Sequence, residues 1–225
     1  MEPEIAVVLP AHNEARTIGQ LVSRLKETFH LVVVVDDGSR DDTGKLAAWA
    51  GAVVFRHQTC QGKGAALKTG FQQVIKAGVK AVLTMDADGQ HSVEETRLFL
   101  TAWRERPEVD LWLGRRNLRA SRMPFLRRLT NRLMSLMISL LAGQFIPDTQ
   151  NGFRLIKREV IEIVKLVTNH FETESELLLK AAWQGFRIAS VPVATLYGQE
   201  KSKIQPLRDT GRFFLMLFRL LTARN

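Results

Sequence analysis

Leu31-Val32-Val33-Val34-Val35 is an unbroken apolar run with four β-branched residues in succession. A strand with one wet face alternates apolar and polar residues. A continuous run marks a strand covered on both faces, as in a parallel sheet. Covering both faces takes helices, so this segment points to an α/β architecture.

The surrounding pattern agrees. Residues 5–9 form an apolar run closed by Pro10, where a first strand is expected to end. Residues 15–27 carry Ile18, Leu21, Val22 and Leu25 at helical spacing. Helices over 43–50 and 65–77 then alternate with strands over 52–55 and 79–84. Such alternation predicts right-handed βαβ units. After Pro107, strands are expected at 109–113, 152–156 and 186–193, with helices over 123–141, 174–184 and 207–221. With no repeat or low-complexity linker, the 225 residues read as a single unit.

Two strands end in acids. Asp36-Asp37-Gly38-Ser39 follows the valine run, and Met85-Asp86-Ala87-Asp88-Gly89-Gln90-His91 follows Ala81-Val82-Leu83-Thr84. Open α/β sheets bind ligands at the carboxyl ends of their strands. Hard oxygen donors there suit Mg²⁺ or Mn²⁺ carrying a diphosphate, and Gln90 adds a neutral oxygen. An acid at the second strand's end is placed to accept from a ribose or base, while Ser39, Asp41 or Asp42 can cap the next helix. Acid-x-acid alone is a weak signal, because most such triplets are solvated turns. His91 is placed either to contact phosphate or to face solvent. Gly62-Lys63-Gly64 precedes a helix but is neither a P-loop nor a dinucleotide fingerprint, so a plain turn is the default.

Charge supplies a third signal. The chain holds 32 Lys+Arg against 23 Asp+Glu, a net +9, which favours anionic partners. Between Leu111 and Pro147 there is no acid, yet Arg115, Arg116, Arg119, Arg122, Arg127, Arg128 and Arg132 all lie there. Arginines followed by Leu129, Leu133, Leu136, Met137, Leu140 and Leu141 compose a helix suited to a membrane interface. The alternative is a solvated basic face over a core helix. Scarce aromatics and the lack of a known motif argue against nucleic acid as partner. Cys60 is the single cysteine, so a reducing compartment is expected. No apolar run reaches the roughly 18 residues of a spanning helix, and the start lacks a secretory pattern.

Together these motifs resemble glycosyltransferase family 2 with the GT-A fold, especially its dolichyl-phosphate mannose synthase-like and bacterial polyprenyl-phosphate glycosyltransferase members. The resemblance rests on Val8-Leu9-Pro10-Ala11-His12-Asn13-Glu14, Val35-Asp36-Asp37-Gly38-Ser39, Asp86-Ala87-Asp88-Gly89-Gln90-His91, Gly114-Arg115-Arg116, Asp148-Thr149-Gln150-Asn151-Gly152-Phe153-Arg154 and Lys201-Ser202-Lys203-Ile204. It implies a Rossmann-like, mostly parallel sheet flanked by helices, with an amphipathic interfacial helix and a basic C-terminal helix. The nucleotide-sugar half would be 1–114 and the acceptor and membrane half 115–225.

The implied activity is metal-dependent, inverting transfer of a hexose from a nucleotide-diphosphate sugar (GDP-mannose or a UDP-sugar) to a dolichyl or undecaprenyl phosphate. Pro10, Ala11, Asn13, Glu14, Asp36, Asp37, Gly38, Ser39, Lys63 and Asp86 would bind the donor. Asp86, Asp88 and Gln90 would bind Mg²⁺ or Mn²⁺. Arg116, Arg127, Asn131 and Lys203 would meet the acceptor phosphate, with Asp88, Arg116 and Arg127 as the catalytic set. Two positions depart from the family pattern. Arg115 replaces a serine, and no arginine shortly precedes the Ser-Lys stretch, where Lys201 could substitute. The implied location is cytoplasmic, peripheral on the inner membrane face, with room for a membrane-protein partner. One rival is a family 2 enzyme acting on a sugar hydroxyl, with Glu174 or Glu176 as base. The other is a non-catalytic basic protein docking on membrane or RNA.

Overall fold

A computed structural model describes residues 4–116, 125–194 and 206–223. The strands are β1 (Ile5–Ala11), β2 (Leu31–Asp36), β3 (Val53–Arg56), β4 (Ala81–Thr84), β5 (Leu111–Arg116), β6 (Arg154–Lys157) and β7 (Ile188–Val193). They form one sheet in the order β3-β2-β1-β4-β6-β5-β7. The helices are α1 (Ile18–Lys26), α2 (Thr43–Trp49), α3 (Lys63–Lys76), α4 (Thr96–Glu105), α5 (Phe125–Ala142), α6 (Arg158–Ile163), α7 (Glu172–Trp183) and α8 (Pro206–Thr222).

The valine run behaves as its composition requires. Val33 and Val35 face a core built with α3, α5, α6, α7 and α8, while Val32 and Val34 face a second core with α1, α2 and α4. Each fully buried valine contributes about 1.5–3 kcal/mol of transfer free energy. A polar residue at any of these four positions would lose that and strand a polar group.

One local expectation is corrected, and the structure adds features that the sequence left open. Pro10 does not end β1, because it pairs in register with Val35 of β2. The Val8 carbonyl accepts from Met85 N–H and the Ala11 carbonyl from Asp37 N–H. Pro10 therefore turns its missing donor toward β4, whose pairing with β1 has stopped at Thr84. Next, β6 runs antiparallel to both β4 and β5, which puts its amino end beside the carboxyl ends of its neighbours. Finally, α4 and α6 were not anticipated, although α4 buries Phe99 and α6 buries Val160 completely.

α5 buries Ser135 and Ile138 and exposes Leu129, Leu133, Leu136 and Leu140 along one stripe. α8 likewise exposes Phe214, Leu215, Phe218 and Leu221 while burying Phe213, Met216, Leu217 and Leu220. Among the described residues, no helix is long and apolar enough to cross a membrane.

Candidate active site

The chain crosses from β1 to β2 on one side and reaches β4 on the other. The carboxyl ends of β1, β2 and β4 therefore surround a switch point, where open sheets bind ligands. Two loops are laced together there. Asn13, at φ 54°, gives its backbone N–H to Ser39 Oγ at 2.9 Å, and its side-chain oxygen accepts from Arg40 N–H at 2.8 Å. Glu14 N–H donates to Thr43 Oγ1 at 2.8 Å. Beneath them Asp36 is fully buried, with Oδ1 accepting from Ser39 N–H and Oδ2 3.6 Å from Arg56 Nε.

Asp37 holds a third loop. Its carboxylate accepts from His57 Nδ1 at 2.7 Å, Gln61 N–H at 2.9 Å, Gly62 N–H at 2.8 Å and Cys60 Sγ at 3.2 Å. Burial pushes this carboxyl up, but the bonds from Gln61, His57, Gly62 and Cys60 outweigh it and hold the pKa below the usual value. A depressed carboxylate pKa adds stability above the unfolded value of about 4 and loses it as pH falls through the folded value. Hydrogen exchange at the Gln61 and Gly62 amides is therefore expected to reveal easier local opening as pH drops from about 5 toward about 2.5. Unchanged protection (exchange corrected for intrinsic rate) would contradict it.

The turn after β4 carries the acidic motif. Asp88 Oδ1 accepts from Gln90 N–H at 3.0 Å, and Thr17 Oγ1 donates to the Ala87 carbonyl at 2.6 Å. Lys63, at the start of α3, reaches Asp86 Oδ1 at 2.6 Å and Glu174 Oε2 at 3.0 Å. Burial alone would lower the Lys63 pKa, yet Asp86 and Glu174 raise it, so the ammonium stays charged. Asp86 is correspondingly held down by Lys63 against burial. Asp88 is pushed up to about 6 by burial first and by the Asp86 charge second. His91 is buried rather than facing solvent, tilted against Phe153 at 5.1 Å, and Nδ1 has no hydrogen-bond partner among the described residues. Burial chiefly brings its pKa down to about 4, so it is neutral at pH 7.

The loop from Asp148 to Arg154 joins these parts. Asp148 accepts from Arg116 Nε and Nη2, both at 2.8 Å, and from Arg116 N–H at 3.1 Å. Asn151 Nδ2 donates to the Gly114 carbonyl, and Thr149 N–H donates to Ser135 Oγ on α5. Arg154, 1% exposed, donates to the carbonyls of Asn151, Thr149 and Glu174. A Cβ on Gly152 would meet Asp86 Oδ1 and Lys63 Nζ at 2.8 Å, so only glycine lets this loop pass so close to them.

Asp86, Asp88, Lys63 and Glu174 thus share one locality, while Arg116 stands at the end of β5. Asn131 lies on α5. Lys203, Lys201, Arg119, Arg122 and the side chain of Arg127 lie outside the described residues. Gly62-Lys63-Gly64 is more than a plain turn, because Asn169, His170 and Thr173 pack directly on it and Ala65 N–H donates to the Asn169 carbonyl. Glu176 is fully buried and accepts from the Val167 and Thr168 backbone and from Lys180, away from the acidic motif. Glu174 lies beside the acidic motif, sharing Lys63 with Asp86. Asp148 and Arg154 were given no role from sequence. Asp148 carried a usable signal: it is the first acid after the arginine-rich stretch and so the natural partner of one of those arginines.

The residues at the acidic turn fit a divalent cation. Two carboxylates lie closely enough together that Asp86 raises the Asp88 pKa. Among the described residues, no group of three or more His, Cys, Asp or Glu forms a metal cage. Mg²⁺ sites use one or two carboxylates and complete the shell with substrate phosphate and water, which is the donor set Asp86 and Asp88 offer.

A mostly parallel sheet with acids at its switch point is an architecture that binds nucleotides and related ligands there. The family model described as Glycosyl transferase family 2 matches residues 6–164, and the chain belongs to that family. It is a glycosyltransferase. It is 31% identical to the polyprenol monophosphomannose synthase of Mycolicibacterium smegmatis, over 83% of this chain and 75% of that protein. It is 26% identical to the UDP-N-acetylglucosamine–dolichyl-phosphate N-acetylglucosaminyltransferase of Methanococcus voltae, over 86% of each. The fold is GT-A, shared with the glucosyl-3-phosphoglycerate synthase of Mycobacterium tuberculosis crystallised with Mn²⁺, uridine diphosphate and phosphoglyceric acid. That structure superposes with a TM-score of 0.71 at 20% identity, covering 99% of this chain and 78% of that one.

Proposed function

We propose that this glycosyltransferase moves a hexose from a nucleotide-diphosphate sugar to a polyprenyl phosphate, with inversion at the anomeric carbon. One observation carries the acceptor assignment. The two acids weighed as base for a hydroxyl acceptor are both paired, Glu174 with Lys63 and Glu176 with the Val167–Thr168 backbone. A phosphate monoester, with second pKa near ~6, is already ionised at neutral pH and needs no base. The names of the two relatives support the same acceptor class, although their sugars differ.

In this reading the laced loops holding Pro10, Ala11, Asn13, Glu14, Asp36, Asp37, Gly38 and Ser39 seat the nucleoside. Asp86, Asp88 and Gln90 would hold Mg²⁺ or Mn²⁺, which when bound neutralises charge on the diphosphate. Lys63 supplies a further fixed positive charge beside Asp86. An acceptor phosphate oxygen attacks the anomeric carbon as its bond to the diphosphate breaks, and the nucleoside diphosphate leaves. Arg116, with Arg127, Asn131 and Lys203, orients the acceptor phosphate. The exposed stripe on α5, with Arg128 and Arg132 on the same helix, supports docking on an anionic membrane surface, inner-leaflet and peripheral. Residues 1–114 serve the donor and 115–225 the acceptor within one domain.

The test incubates purified protein with GDP-mannose, UDP-glucose or UDP-N-acetylglucosamine, Mg²⁺ or Mn²⁺, and a short polyprenyl phosphate. A glycolipid that disappears on chelation is expected, and no glycolipid from any donor would sink the reading. Arg127→Ala is expected to weaken lipid transfer more than it slows donor hydrolysis. Equal losses in both would remove Arg127 from the acceptor site.

A further inference from the structure

We propose that Asp148 is a positioning residue that sets the orientation of Arg116 before the acceptor phosphate arrives. The inference rests on the acceptor reading above and adds to it the group that makes the arginine rigid.

Arg116 is the last residue of β5, where the strand is leaving the sheet. A long side chain there would ordinarily sample several rotamers, each phosphate contact then costing ordering entropy. Asp148 prevents this. Its two oxygens take Nε and Nη2 at 2.8 Å each, and Oδ2 also accepts the Arg116 backbone N–H at 3.1 Å. Backbone and guanidinium are thereby referenced to the same carboxylate. Asp148 is itself 1% exposed, so it does not swing.

The same loop is pinned to both sides of the site. Thr149 N–H donates to Ser135 Oγ at 3.0 Å, which registers the loop against α5. Thr84 Oγ1, at the end of β4, donates to the Gly152 carbonyl at 2.8 Å, and the missing Gly152 side chain lets the loop lie against Asp86 and Lys63. Arg154 closes the loop from below through three carbonyls. The hydrogen-bonded segment that holds Arg116 therefore also passes directly beside Asp86. In-line transfer requires reacting atoms about 3–3.5 Å apart and aligned. A loop that fixes both sides supplies that alignment in advance.

The test is a double-mutant cycle with Asp148→Asn, Arg116→Gln and the double variant. Readouts are acceptor KM and kcat with short polyprenyl phosphate, slow donor hydrolysis without acceptor, and Tm. The amide introduced by Asp148→Asn would offer one oxygen and one N–H₂ group to a fork that needs two acceptors. Asp148→Asn is expected to raise acceptor KM about 10–100-fold, by analogy with the loss seen when partners that orient metal ligands are removed. Donor KM and hydrolysis should change far less than acceptor KM, because Asp148 contacts Arg116, whereas the loop's donor side is tied by Thr84 to the Gly152 carbonyl. In the Arg116→Gln background, Asp148→Asn should add less than about twofold, because its effect runs through the arginine.

Equal cost of Asp148→Asn in both backgrounds would overturn the proposal. So would unchanged acceptor KM, or parallel loss of transfer, donor hydrolysis and Tm, which would make Asp148 merely structural. Absence of glycolipid from the wild-type enzyme would instead bring down the acceptor reading and this inference together.

Discussion

Asp88→Ala is expected to reduce turnover by about 10³-fold or more, roughly 4 kcal/mol of transition-state stabilisation, without lowering Tm. The two halves of that expectation share one cause. Asp88 sits where burial and the Asp86 charge raise its pKa to about 6. An acid with a raised folded pKa costs stability once it ionises, with the cost growing as pH rises from the unfolded value near ~4 to about 6 and remaining above it. In the proposed site a bound cation would offset that cost by screening Asp88 from Asp86. Removing the carboxylate relieves repulsion and should leave Tm level or slightly higher at about pH 7.5. Turnover should collapse because the diphosphate would depart without its counter-charge. Turnover above about one-tenth of wild type in saturating Mn²⁺ would exclude Asp88 from the metal site.

Gly64→Ala should act oppositely, on the fold first. Its added Cβ would overlap Thr173 Oγ1 and lie 2.6 Å from Thr173 Cβ and 2.8 Å from the Asn169 carbonyl carbon. α3 and α7 would have to separate where Lys63 meets Glu174. Overpacking of a close backbone approach costs about 1–3 kcal/mol, and breaking the adjoining buried ion pair adds to that. A loss of about 3 kcal/mol or more corresponds to a Tm drop on the order of 6–12 °C in a chain of this size. Gly211→Ala on α8 is the control, because its Cβ would meet nothing within 4 Å and helix propensity favours alanine by about 1 kcal/mol. Denaturant titration of both variants checks the contrast. A Gly64→Ala protein as stable as wild type would show that the two helices are not in fixed contact.

Much of this was readable from spacing alone. The valine run required a two-faced strand, and it is sandwiched between two cores. Asp36 and Asp86 were placed at strand ends because an apolar run that stops in acids has left the interior. Where local reading failed, a distant partner was responsible. Pro10 continues β1 because β4 stops pairing first, and the antiparallel direction of β6 is set by its pairing with β4 and β5, on which its composition is silent. α4 was passed over because its apolar face is short, with Phe99 as its fully buried anchor. Glu174 read as a base because nothing near it in sequence announces Lys63.

The order of the seven strands and of six of the eight described helices, the acids at the carboxyl edge and the basic amphipathic segment follow from the sequence by itself. Periodicity and charge are properties of neighbouring residues, and neighbouring residues suffice to specify them. Which acids remain available was decided by tertiary structure alone. Asp37 is engaged by His57, Cys60, Gln61 and Gly62, Glu174 by Lys63, and Asp148 by Arg116. Each pairing joins elements brought together only when the sheet closes. A carboxylate's chemistry depends on the cation and the dielectric it meets there, not on its place in the chain.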